Sequence, residues 1–470
     1  MATAVTTRDS SSFWASLREA LRGSHQDYTT GSLTGAIFLL AVPMVLEMLM
    51  ESLFAIVDVF WVARLGADSV ATVGLVEAML TLVYAVSMGL GLSATAMVAR
   101  RVGEKDREGA SVAGVQAIAL GLAVSLSMGA FGFSFAPRLL RLMGASPGVI
   151  GIGTRYARIT LGGCCVAVLL ILNNAVFRGA GDAAIAMRVL WLSNSINLAL
   201  DPCLIFGLGP FPRLGVTGAA VSTLTGRSIG VVYQFYRLMK GGEHIRILAR
   251  HIRLNMEVML RLLRVSVTGI AQMLTPHIAW VSLMRIVSVF GSTALAAYTI
   301  SIRIIIFFIL PAWGLSGAAA TLVGQNLGAR QPDRAEQSVW KTGFYNMLVM
   351  GSVGLFFILF PGPVVRLFTQ DPAIVSLGVA CLRVVSIGNI GYAYEMVMMQ
   401  AFNGAGDTIT PTIVNFIGFI LAEIPLAYAL AIPLGMKSKG VNWAITISES
   451  GIAVAMVLLF RQGRWKAKKI

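Results

Sequence analysis

The chain carries little charge. Asp, Glu, Lys and Arg make up 13% of its 470 residues, against roughly 25% in soluble domains, and this scarcity excludes an ordinary water-exposed surface over most of its length. Cysteine is scarce as well. Cys164, Cys165, Cys203 and Cys381 all fall inside apolar runs with neither disulfide nor metal-ligand spacing, so they read as small apolar fillers. There is no Walker loop, no HExxH and no GxSxG, and the four histidines, His25, His244, His251 and His277, are scattered. No nucleotide cradle, zinc helix or nucleophile elbow is therefore encoded, and neither an enzyme nor a resident metal or cofactor is expected. The first 30 residues lack the apolar core of a signal peptide. Their SSFWASLREALRG stretch reads as an amphipathic basic arm near the headgroups.

What is abundant is hydrocarbon. Hydrophobic residues make up 56% of the chain and the mean hydropathy is +0.78, which places it in a bilayer. Twelve apolar runs reach the roughly 20 residues needed to cross the hydrocarbon core: 34–62, 68–98, 113–136, 149–176, 184–208, 217–239, 258–288, 294–322, 338–360, 374–401, 410–433 and 441–461. The expected fold is an all-α integral membrane protein.

An even number of crossings puts both termini on one side. The loops of that side, from Arg8 through Arg100, Arg101 and the Arg237–Arg264 connection to Lys469, hold twenty-three Lys and Arg. The other side holds seven: Arg64, Arg138, Arg141, Arg213, Arg366, Lys437 and Lys439. Basic loops stay in the cytoplasm, so both termini are expected there, with the protein in the plasma membrane, the inner membrane if the cell is bacterial. The formal net charge of +15 then reflects topology and contact with anionic lipids. A nucleic-acid partner would need a soluble basic domain, and no such domain is encoded.

The chain is also written twice. FRGAGDAAIAM at 177 recurs as FNGAGDTITPT at 402, a shift of 225 that also carries Gly66 onto Gly291, Gly103 onto Gly328, Arg158 onto Arg383 and Gly215 onto Gly440. One register held through six hydrophobic segments implies two six-helix lobes as parallel repeats, related by an axis along the membrane normal, around a central cavity. The expected layout is an arm at 1–33, an amino-terminal lobe at 34–240, a linker at 241–257, a carboxy-terminal lobe at 258–461 and a basic tail at 462–470. A monomer is expected.

Acids in the apolar runs are costly, by roughly 2.5–3.5 kcal/mol each at mid-bilayer on insertion scales, and so point to function. Asp58 in the first span and Asp201 in the fifth sit at comparable depth, and their repeat partners are Leu283 and Leu426. Asn197 lies one helical turn before Asp201, and Pro202 removes a backbone N–H beside it. Carboxylate, amide and freed carbonyl oxygens suit a small cation, H⁺ or Na⁺; the bland reading is that each acid only fixes helix packing. Glu47 and Glu51 share a face with Asp58 behind Pro43, a candidate kink point. With Gln272, the repeat partner of Glu47, and with Glu395 and Glu423 of the second half, they are candidates for a substrate cavity. Glu47 could instead be wetted at the cytoplasmic mouth, and Glu395 or Glu423 could neutralise Arg383 or form a second ion site.

In order and in register, Pro43 with VDVFWVARLG, RRVGEKDREGA, NNAVFRGAGD, NLALDP, LVGQNLGA and FNGAGDTITPT make residues 34 to 461 resemble the multidrug and toxic compound extrusion (MATE) family. The resemblance implies a twelve-helix, two-lobed antiporter that expels organic cations and amphipathic drugs against an inward flow of H⁺ or Na⁺. Within the family the chain is similar to the DinF-like branch, whose ion site in the amino-terminal lobe maps to Asp58, Asn197 and Asp201, with Asn174 and Thr223 beside them. NorM-like members use acids of helices 7 and 10; here the seventh span has none, while Glu395 keeps one in the tenth. A lipid-linked precursor flippase of related two-lobed architecture is the alternative, and would be expected to line its cavity with several Arg.

Overall fold

The computed structural model describes residues 13–23, 26–242 and 244–468; Arg8, His25 and Lys469 lie outside them. The described residues contain no strand. A short amphipathic α1 (Phe13–Arg22) precedes α2 (Leu33–Ala63), α3 (Ala67–Gly103), α4 (Arg107–Leu142), α5 (Pro147–Gly162), α6 (Cys164–Ala180), α7 (Ala183–Phe206) and α8 (Val216–Lys240). The second half has α9 (Met256–Ser288), α10 (Ser292–Gly328), α11 (Pro332–Leu359), the short α12 (Pro361–Arg366), α13 (Pro372–Ile387), α14 (Asn389–Gly404), α15 (Ile409–Asn415), α16 (Ile424–Ala431) and α17 (Ser438–Arg461).

These helices make twelve crossings. The pair α5 and α6 forms one, broken at Gly163, and α13 and α14 form another, bent by 54° at Gly388, the repeat partner of Gly163. The eleventh crossing joins α15 to α16 through π-helical turns at Phe416–Glu423. By length and hydropathy, ten described helices qualify as spans, eleven with the bent pair. The twelfth is α8, whose apolar run is interrupted by Arg227. Pro43 and Pro202 both lie inside continuous helices, α2 and α7.

The halves meet across a pseudo-twofold axis legible in their glycines. A Cβ on Gly89 of α3 would strike Ile270 of α9 at 2.5 Å, and one on Gly314 of α10 would strike the Met44 and Val45 backbone of α2. Gly89 and Gly314 are repeat partners, as are Val45 and Ile270. At the helix ends, a Cβ on Gly103 would lie 2.0 Å from the Gln325 carbonyl and one on Gly328 2.2 Å from that of Arg100. Such approach lets backbones make dispersion contacts that any side chain would prevent. The cleft between the lobes is therefore shut on the face that carries both termini.

Both ends of the chain reinforce that closure. Lys105 pairs with Asp27 at 2.5 Å, and Arg334 of the other half donates to the Thr30 carbonyl at 2.8 Å. In the tail, Trp465 stacks on Phe460, Lys466 pairs with Glu336 at 2.6 Å, and Lys468 pairs with Asp407 while its carbonyl accepts from Arg100. The arm helix α1 packs on α2 and α7, where Arg188 donates to the Arg22 carbonyl at 2.6 Å. This anchors it to protein, whereas its sequence pattern points to the headgroups. The linker is held on α4, Gln116 donating to the Arg253 carbonyl and accepting from the Asn255 N–H.

Candidate ion and substrate site

Asp201 is completely buried on α7. Its Oδ1 accepts from Ser222 and, at 3.4 Å, from Asn197, whose Nδ2 also reaches Thr223 Oγ1 at 2.9 Å. The i, i+4 spacing puts Asn197 and Asp201 on one stripe, and close packing of Gly226 against the Ser193 carbonyl and Asn197 brings α8 near enough to supply both hydroxyls. One oxygen of each side chain remains: Asp201 Oδ2 and Asn197 Oδ1 are buried without a hydrogen-bond partner. Asp58 Oδ1, on α2, is a third such atom, and Asp58 lies within electrostatic reach of Asp201. Unpaired buried oxygens cost about 1–3 kcal/mol each, more when charged, so three of them in one lobe, with the two carboxylates in electrostatic range of each other, mark a place where positive charge would be well received.

Asn174 stands elsewhere. Its Nδ2 donates to Glu47 at 3.2 Å and its Oδ1 accepts from Gln234 at 2.7 Å, while Arg178 approaches Glu47 at 3.7 Å. The resemblance makes Asn174 a further candidate for the ion site; in the structure its side chain bonds Glu47 and Gln234. Glu47 itself is 1% exposed, so it is not a wetted mouth residue. Glu51 accepts from Asn194 at 3.3 Å. Gln272 is fully buried on α9 with neither amide atom partnered.

The sequence reading passed over the residues that surround Asp58. Arg227 donates to Tyr84 Oη at 3.1 Å and acts electrostatically on both Glu51 and Asp58; Glu77 and Tyr156 also lie in range of Asp58. Arg303 of α10 reaches Glu77 from the opposite half. A lone Arg inside an apolar run, with Ile452 as its repeat partner, was the signal available for Arg227.

In the carboxy-terminal half Glu395 on α14 and Glu423 at the end of the π-helical turns lie in electrostatic range of a third acid, Glu449 on α17. None of the three has an ion-pair partner among the described residues, and Oε2 of both Glu395 and Glu423 is buried without a hydrogen bond. Arg383 does not neutralise them; its Nε donates to the Ile358 carbonyl on an exposed face. Glu449, whose repeat partner is Leu224, was not singled out from the sequence.

The geometry is that of a two-lobed carrier, and comparison with known proteins agrees. The family model described as MatE matches residues 43–203 and, a second time, residues 269–429. The chain belongs to the MATE family. A relative from Thermotoga maritima named "Probable multidrug resistance protein NorM" is 25% identical over 92% of this chain and 93% of its own length. A Shewanella oneidensis relative named "FAD transporter" is 24% identical over 85% of this chain and 88% of its own. A solved structure titled "Outward-facing conformation of a multidrug resistance MATE family transporter of the MOP superfamily" has a TM-score of 0.86 and 27% identity, with 93% of this chain and 96% of that one covered. A MATE chain is a multi-pass membrane transporter of small molecules, not an enzyme, with twelve helices in two lobes.

Proposed function

We propose that this MATE transporter is an antiporter that exports organic cations and other amphipathic compounds while a coupling cation, H⁺ or Na⁺, enters through the amino-terminal lobe. Both termini are cytoplasmic in this reading and the membrane is the plasma membrane, so closure of the terminal face makes the described state outward-facing. The observation that carries the proposal is the trio of unpartnered buried oxygens on Asp201, Asn197 and Asp58. Ser222 and Thr223 complete the shell and fix the orientation of the first two. A cation here would favour one arrangement of the lobes, and a substrate in the cleft the other. That differential preference is the thermodynamic content of antiport.

The Glu395, Glu423 and Glu449 group gives the second wall a negative character suited to organic cations. A specific observation favours a second reading of the substrate. Arg227 and Arg303 add positive charge to the amino-terminal side and to α10, and the S. oneidensis relative is named for FAD, so an anionic, phosphorylated cargo is the rival. Purified protein in proteoliposomes, with the pH and Na⁺ gradients imposed separately and ethidium or FAD as cargo, separates these readings. Ethidium movement under one gradient supports the proposal. FAD movement without ethidium movement selects the rival, and ethidium movement that ignores both gradients removes the antiport.

A further inference from the structure

On the terminal face, where the lobes meet, lies a cavity of about 910 Å³. Its wall is built from both halves and the tail: Arg100 and Glu104 at the end of α3, Arg261 and Arg264 near the start of α9, Arg330 just past α10, and Lys466 and Lys468. Six cations thus face one carboxylate. Their pairing is unequal. Lys466 is matched by Asp333 and Glu336, Lys468 by Asp407 and Arg261 by Glu257, and Glu104 is itself held by Arg101 at 2.9 Å. Arg264 and Arg330 have no ion-pair partner among the described residues, while Arg100 donates to the Lys468 carbonyl and lies in electrostatic range of Glu104. Two guanidinium groups, on Arg264 and Arg330, therefore line one concavity without an ion-pair partner among the described residues, and Arg100 shares the wall with Glu104. Like charges repel, and an anion in this concavity would offset that repulsion.

We propose that this cavity is a binding site for a phosphate-bearing anion, distinct from the transport site between the lobes. Planar guanidinium forks match phosphate oxygens bidentately, and basic pockets between transmembrane helices on the cytoplasmic side suit anionic headgroups. The same chemistry is offered by an anionic phospholipid headgroup and by a soluble phosphate or pyrophosphate. Arg100 belongs to the amino-terminal half and Arg264 and Arg330 to the carboxy-terminal half, and the cavity exists because α3 and α10 meet at Gly103 and Gly328. An anion bridging them binds the closed terminal face in preference to the open one, and so stabilises the state described here.

The test uses the full chain in two arms. In neutral detergent, pyrophosphate is titrated while the thermal midpoint is followed; in nanodiscs of phosphatidylcholine with phosphatidylglycerol, the lipid retained on release is identified by native mass spectrometry. The double variant Arg264→Gln/Arg330→Gln is expected to weaken binding by at least about tenfold, Arg107→Gln/Lys341→Gln on the same face to leave it unchanged, and Glu104→Gln to tighten it. Pyrophosphate binding alone assigns a soluble anion, and retained phosphatidylglycerol assigns the headgroup. Equal losses in the two double variants would reduce the effect to diffuse surface charge and overturn the proposal, as would no binding in either arm.

Discussion

The two lobes share a backbone plan but place their ionisable groups at different positions. Asp58, Asn197, Asp201 and Arg227 of the first half correspond under the 225-residue shift to Leu283, Ala422, Leu426 and Ile452. Glu395, Glu423 and Glu449 of the second correspond to Leu170, Leu198 and Leu224. In the amino-terminal lobe Asp201 is embedded among the Asn197 amide and the Ser222 hydroxyl, and Asp58 lies in electrostatic range of Arg227. In the carboxy-terminal lobe three acids lie in electrostatic range of one another and of Tyr298 or Tyr392, with no cation paired to them among the described residues. What the halves retain in common is the glycine contacts through which they touch: Gly89 against Ile270 and, at the repeat position of Gly89, Gly314 against Met44, with Gly103 and Gly328 against each other's helix ends. The difference teaches that pseudo-symmetry is kept where the lobes touch and dropped where each carries ionisable groups of its own.

The most severe way to break this comparison is at the shared contacts. Gly103→Val and Gly328→Val each push a side chain into the backbone opposite, so both should prevent closure and reduce transport by more than about tenfold. A cysteine introduced at Ser93, whose hydroxyl bonds Ser266 across the lobes at 2.8 Å, should become alkylated from the terminal face in both variants. Unequal effects of the two would break the claimed symmetry. A next step is to remove Arg227, whose repeat position in the other lobe is Ile452. Arg227→Leu strands Tyr84, Glu51 and Asp58 and should lower stability by about 3 kcal/mol or more, whereas exposed Arg383→Leu should change it by less than about 0.5 kcal/mol; thermal unfolding in detergent measures both.

Smaller effects sharpen the contrast. Glu423→Gln/Glu449→Gln should reduce export of an organic cation such as ethidium on the order of fivefold, by weakening electrostatic complementarity, while the dependence on the driving gradient is unaltered. The mildest effect concerns the arm. Burial of Asp27 raises its affinity for a proton, but hydrogen bonds from Lys105 and Thr29 outweigh it and draw the pKa down from 3.8 to about 2. A depressed carboxylate pKa stabilises the folded clasp above pH 3.8, and that contribution fades as pH falls through about 2. Hydrogen exchange across residues 26–31 should accelerate in that window, and Asp27→Asn should remove the pH dependence.

Much of this organisation was legible in the sequence because hydrocarbon thickness and gene duplication both leave long-range periodic marks. The twelve crossings, the glycine partners and the shared stripe of Asn197 and Asp201 follow from such marks. Asn174 did not, because its partner depends on how α6 is rotated towards α2 and α8, which no spacing within one helix specifies. Arg227 was absorbed by the surrounding run of small and apolar residues, and Glu449 by the last span, since averaging over a window hides a single charge. The π-helical turns at Phe416–Glu423 follow no apolar period in the sequence; Gly418 within them packs against Ile452. The break at Gly388 coincides with a repeat glycine but needed the neighbouring helices to become a 54° bend.

The claim that the first lobe holds the coupling ion is tested most directly by Asp201→Asn. The variant is reconstituted beside wild type and Glu423→Gln, with ethidium efflux followed under the gradient that drives wild type. The account predicts that Asp201→Asn, present at wild-type levels, loses gradient-driven efflux by more than about tenfold while Glu423→Gln stays coupled. Undiminished, gradient-dependent efflux by Asp201→Asn would contradict it.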